Sequence, residues 1–232
     1  DHIYGLQVFK ALGARILAHE AGKQYLHSDT AKARLVASRR ELSPWVDENT
    51  ELVFADEWIT QDRTLNVGGM VFELMNLGPA HTAEDMVVYL PLQQVLFVGD
   101  VMFRQRIPFV GQADSHHWQQ ALTQLSALNV EWVVPGHGAV FTDVSGALAR
   151  ARQRLASFQT APSKHASHAA KVLLKFKLLD WQHVSDAELG LWTQGCRYLH
   201  ELHQRFYPTL DVHDWVHQCM RDLVQAGAAE RD

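Results

Sequence analysis

Between Thr64 and Gly99 the chain strings together "LNV", "MVFELMNL", "DMVVYL" and "VLFVG", short β-prone runs separated by Gly68-Gly69, by "GPAHTAE" and by "PLQQ". Runs of this length bounded by Gly, Pro and polar residues read as strands joined by tight turns. The helical period of "HHWQQALTQLSAL", with Trp118, Leu122, Leu125 and Leu128, follows and feeds "VEWVVPGHG", a buried strand that stops at Pro135 and Gly136. A β block followed by a helix and a further strand calls for a layered α/β domain.

The flanks extend this pattern. Residues 3–12 have helical spacing with Gly13 as a stop, "ARILAHEA" reads as a short strand, residues 21–42 as helix, "SPWVDENT" as a loop and "ELVFADEWI" as extended chain. Beyond residue 145 only helical patterns remain, with a hinge at "TAPSK". The expected organisation is a domain over residues 1–145 and a helical extension over residues 146–232. Phe176, Trp181, Trp192, Tyr198 and Phe206 in that extension have helical spacing that suits packing; they are also the residues that could line a cleft.

Bulk properties bound the function. A 232-residue chain with 47% hydrophobic residues buries a sizeable core. Its net charge is −5 and it has no extended Lys/Arg block, which argues against a nucleic-acid partner. No apolar run is long enough to span a bilayer. Cys196 and Cys219 lack metal or redox spacing and read as inert thiols. The chain opens on "DHIYGLQVFKALG" without Met, as if entered mid-sequence, so compartment and oligomeric state stay open.

Four places set an imidazole or carboxylate just beside an apolar segment, next to Gly or Pro: Asp1-His2 before "IYG", His81 in "GPAHT", Asp100 in "FVGDV" and His137 in "VVPGHG". Strand tips and tight turns hold side chains rigidly where they can converge. Imidazole and carboxylate are together a ligand set for zinc or another borderline metal. A lone His is usually a surface or core residue; the signal is the ordered set. The pairs in "HELH" (His200, His203) and His213/His217 lack the HExxH arrangement and read as helix-surface or packing residues.

In this order the residues resemble the metallo-β-lactamase-fold hydrolases. "DH" followed by Gly5 is similar to the second half of the family's HxHxDH motif, and His81, Asp100 and His137 match its later His, Asp and His. The resemblance implies a four-layered αββα sandwich whose N-terminal strands are missing from residues 1–145. It also implies two zinc ions, with iron or manganese as substitutes. His81 would belong to the first site, Asp1, His2 and His137 to the second, and Asp100 would bridge them. The HxH half of the motif is not among residues 1–232, which leaves the first site with only His81 and Asp100.

The implied activity is metal-dependent hydrolysis of a small ester, thioester or related substrate by a zinc-bridged hydroxide, with Asp1 and Asp100 in catalytic roles. An Asp at the bridging position disfavours β-lactam hydrolysis, because the family's β-lactamases usually place Cys or Ser there. Arg104 and Arg106, just past Asp100, and His116, at the start of the next helix, are further substrate-binding expectations. The alternatives are a single-iron, persulfide-dioxygenase-like oxidoreductase and a non-catalytic domain of the same fold. In the strand before Asp100, Val95, Phe97 and Val98 are expected to supply the packing.

Overall fold

The computed structural model describes residues 2–104 and 115–230. It is a mixed α/β protein in two compact units, one reaching to Arg152 and the other running from Gln153 onward.

In the first unit, helix α1 (Leu6–Ala11) leads to strand β1 (Leu17–His19), a 3-10 turn at Glu20–Gly22, and helices α2 (Lys23–Leu26) and α3 (Asp29–Glu41). The helical stretch expected over residues 21–42 is divided because Ser28 takes an extended conformation and its hydroxyl accepts the Ala31 N–H, an N-cap that starts a new helix. β1 is shorter than its apolar run. The His19 ring accepts the Ala21 N–H, and the chain turns there into the 3-10 segment. β1 pairs in parallel with β2 (Glu57–Ile59) to form a two-stranded sheet.

The β block folds as the turn signals require. Strands β3 (Arg63–Val67), β4 (Met70–Asn76), β5 (Met86–Leu90) and β6 (Val95–Gly99) are successive antiparallel neighbours. After helix α4 (Ser115–Leu125), β7 (Trp132–Pro135) adds in parallel beside β6, giving the order β3-β4-β5-β6-β7. This topology positions the site. β6 and β7 run the same way, and β4, two antiparallel steps from β6, does too. The turns leaving β4, β6 and β7 therefore open at one edge of the sheet.

Packing of β6 differs from expectation. Leu96 and Val98 are wholly buried, whereas Phe97 is 42% exposed and Val95 only partly covered. Strand alternation places residues 96 and 98 on one face, so Val98 keeps its expected role and Leu96 replaces Val95 and Phe97 as its partner. Val87, Val133, Trp118 and Leu122 are also wholly buried.

The unit boundary falls within α5 (Val144–Thr160). The second unit continues with α6 (Pro162–Trp181), α7 (Asp186–Gly195), α8 (Arg197–Phe206) and α9 (Val212–Gln225). α7 and α8 are separated at Cys196, whose ψ of 88° lies outside the helical range. Leu174, Leu189, Leu199, Trp215, Val216 and Cys219 form the core of this unit. Trp181 and Trp192 pack against that core edge to face at 5.6 Å, while Phe176 is exposed. Burial pushes the Cys219 thiol up to about 12, consistent with an inert cysteine.

His168 on α6 stacks on Phe158, and its Nε2 is buried with no hydrogen-bond partner among the described residues. Burial, reinforced by the charges of Arg154, His165 and Lys171, lowers its pKa to about 4. The unfolded chain takes up this proton near pH 6.5, and the folded chain resists it until about pH 4. This contribution to stability is therefore complete above pH 6.5 and lost as pH falls toward 4, by up to roughly 3 kcal/mol. Chemical denaturation at pH 7.5 and 4.5 should show a smaller acid loss in His168→Leu than in the wild type; equal losses would assign the acid sensitivity to other groups.

Candidate metal centre

Asp100 is the meeting point of the site. It follows Gly99, which adopts φ +50° at a register shift between β6 and β7, an irregularity that re-aims the next side chain. The Gly136 N–H donates to the Gly99 carbonyl at 2.8 Å and ties the turn after β7 to the end of β6. His137 follows directly.

The third turn, between β4 and β5, is pinned from inside. Asp85 accepts from the Thr82 N–H and hydroxyl, both at 2.8 Å, and its carbonyl accepts from the N–H groups of Leu77 and Gly78. Gly78 lies so close to the Ala83 carbonyl that any Cβ there would collide with it. His81 is thus held in a closed turn, with its ring edge-on to buried Trp118 at 5.5 Å. The Trp118 indole is itself fixed by donating to the Val101 carbonyl at 2.8 Å.

Three imidazoles turn Nε2 toward the same oxygen. His2, His81 and His137 lie 3.3, 3.7 and 3.7 Å from Asp100 Oδ2. The potential ligand atoms of His2, Asp100 and His137 all fall within 4.8 Å of one another, and the His2 and His137 rings are 4.7 Å apart. Asp100 and His81 are the more enclosed, with side chains 16% and 21% exposed, against 45% for His2 and 37% for His137. Burial alone would raise the Asp100 pKa; the hydrogen bond from His2 and the charges of His2, His137 and His81 outweigh it and hold the carboxyl below its usual range.

The arrangement suits a cation. Asp100 Oδ1 and His81 Nδ1 are buried without a hydrogen-bond partner among the described residues. Three imidazoles around one carboxylate supply the donors that zinc prefers, and one carboxylate shared by all of them can face two ions.

Four of the residues singled out from sequence, His2, His81, Asp100 and His137, therefore come together. Asp1 and Arg106 lie outside the described residues. Arg104 is exposed; its carbonyl accepts from Arg150, and its charge acts on Asp143. His116 is exposed at the start of α4, beside Gln120. Sequence reading passed over three neighbours of the cluster. Gly136 was read only as a turn signal, Trp118 only as core, and Phe103 not at all, yet Phe103 lies parallel to the His137 ring at 6.5 Å.

The model of the metallo-beta-lactamase superfamily matches residues 1–137, and the chain belongs to that superfamily. Curated relatives include the metallo-beta-lactamase type 2 of Bacteroides fragilis, 31% identical over 84 residues, which are 34% of this chain and 34% of that protein. The type 2 enzyme of Elizabethkingia meningoseptica is 26% identical over 142 residues, 59% of this chain and 49% of that protein. The matched segments thus span a third to a half of these relatives' length. Among solved structures, a metallo-beta-lactamase family protein from Thermus thermophilus superposes with a TM-score of 0.53 at 18% identity, covering 99% of this chain and 73% of that one. The BLEG-1 B3 metallo-beta-lactamase gives 0.51 at 22% identity over 65% and 70% of the two chains. These likenesses establish the fold.

Proposed function

We propose that the chain carries a dinuclear metal centre for hydrolysis of a small ester, thioester or related substrate. The observation that carries this reading is the convergence of three imidazole Nε2 atoms on one oxygen of Asp100. His81 and Asp100 would hold one ion. His2, His137 and Asp100, together with Asp1, would hold the other. Bound zinc ions supply Lewis acidity and bring the pKa of water at the site toward neutrality.

The protein's own part is positional and electrostatic. Asp100, mostly enclosed and held ionised, fixes one negative charge between the His81 side and the His2/His137 side. Trp118 packs edge-on against His81 and Phe103 lies parallel to His137, while the greater exposure of His2 and His137 leaves their side open to a small molecule. A carboxylate rather than a thiol at position 100 supports esters and thioesters over β-lactams as substrates.

The zinc-loaded complete protein should hydrolyse p-nitrophenyl esters or acyl thioesters in a chelator-sensitive manner and a chromogenic cephalosporin at least about tenfold more slowly, a transition-state difference of about 1.4 kcal/mol. Faster cephalosporin turnover would overturn the substrate class; no metal-dependent hydrolysis would favour a non-catalytic domain. One observation supports a second reading: His2, His137 and Asp100 alone form a two-His, one-carboxylate set, which suits a single iron and oxygen chemistry. One iron per molecule would favour that oxidoreductase, and two zincs the hydrolase.

A further inference from the structure

His81 and Asp100 stand on different turns, and one side chain of a third element touches both turns. Trp118, on α4, is wholly buried on the helix face it shares with Ala121, Leu122 and Leu125. Its indole N–H donates to the carbonyl of Val101, the residue after Asp100, at 2.8 Å. Its ring meets the His81 imidazole with 5.5 Å between centroids and 61° between planes.

On the Asp100 side the contact is an anchor. The Val101 N–H donates to the Val98 carbonyl at 3.1 Å, closing a turn with Gly99 and Asp100 at its centre. Gly99 takes the left-handed φ of +50° that this turn uses. Val101 is 1% exposed, so its carbonyl is satisfied by the Trp118 indole rather than by bulk water. Breaking that bond would leave a buried acceptor unpaired, which is unfavourable. The residue next to the carboxylate is therefore held at both its N–H and its carbonyl.

On the His81 side the contact is one of packing. Metal-binding imidazoles are usually oriented by a hydrogen bond from their second ring nitrogen. His81 Nδ1 is buried with no hydrogen-bond partner among the described residues, while Nε2 faces Asp100 Oδ2 at 3.7 Å. Orientation of this ring thus falls to its neighbours, and Trp118 offers the edge-to-face geometry that aromatic rings prefer.

We propose that Trp118 is a positioning residue for the metal centre: it sets the placement of His81 relative to Asp100 by packing on the imidazole and anchoring the carbonyl beside the carboxylate. This rests on the reading of His81 and Asp100 as ligands.

The test compares the complete wild-type protein with Trp118→Phe, Trp118→Tyr and Leu122→Ala. Zinc affinity is read by competition with a chromophoric chelator, site geometry from the cobalt(II) absorption spectrum, and folding from the metal-free melting temperature. Trp118→Phe keeps an aromatic ring but loses the N–H, and should bind at least one of the two zincs about 10- to 100-fold more weakly, with altered cobalt bands. Trp118→Tyr, also without the indole N–H, should behave alike and answers the question if the phenylalanine variant does not fold. Leu122→Ala removes a wholly buried side chain from the same helix face; it should lower the melting temperature yet keep wild-type affinity and spectrum. Wild-type affinity and bands in a folded Trp118 variant would overturn the role of Trp118 while leaving the centre standing, and so would an equal loss in Leu122→Ala. A wild-type protein that binds neither zinc nor cobalt would overturn the centre and this proposal with it.

Discussion

Gly136→Ala is expected to reduce turnover of the metal-loaded protein by about two orders of magnitude, the scale of loss when reacting groups are misplaced by roughly 1 Å. A Cβ at this position would lie 2.5 Å from Asp100 Oδ1, 2.7 Å from His2 Cε1 and 3.1 Å from the Gly99 carbonyl carbon. The first two neighbours belong to the cluster. The third is backbone, held by the hydrogen bond from Gly136 itself. The carboxylate and the imidazole must therefore give way, and they are two of the groups proposed to hold the metals. Overpacking of this kind costs about 1–3 kcal/mol of stability, so the folded protein should persist with a damaged site. Gly195→Ala, at a position where an added Cβ meets nothing within 4 Å, is the matched control and should leave zinc affinity and turnover unchanged. Near-normal zinc affinity and turnover in Gly136→Ala would mean that the turn after β7 does not set the geometry of the site.

Asp100→Ala is expected to abolish hydrolysis while the fold survives. Zinc affinity should fall by more than the 10- to 100-fold typical of losing an outer-sphere partner, because the group removed is the one that His2, His81 and His137 all face. Without it, two dications would sit close together with less compensating charge, and at least one should leave. The strand should hold, because Leu96 and Val98, not Asp100, occupy the core beside Val87 and Val133. Wild-type thermal stability with lost turnover is the expected pair of results.

The convergence of the candidate ligands was more legible in the sequence than the packing around them. His81, Asp100 and His137 were legible because each stands at a strand end marked by Gly or Pro, and turn chemistry is a local property that survives without knowledge of the fold. The edge they share follows from strand direction, which the four-residue connection between β5 and β6 and the Gly/Pro-marked turn between β4 and β5 make readable. The facing of β6 was not legible. In "VLFVG" every residue before the glycine is apolar, so composition cannot tell residues 95 and 97 from residues 96 and 98; only the neighbouring strands decide. Gly136 was equally hidden, since a glycine that relieves a turn and one that admits a carboxylate and an imidazole look alike in sequence.

The most direct test of a shared Asp100 is to count zinc ions at equilibrium in the complete protein and its Asp100→Ala variant, by dialysis against buffered zinc followed by elemental analysis. The account predicts two ions per wild-type molecule and no more than one in the variant. Two tightly held ions in Asp100→Ala, or none in the wild type, would contradict it.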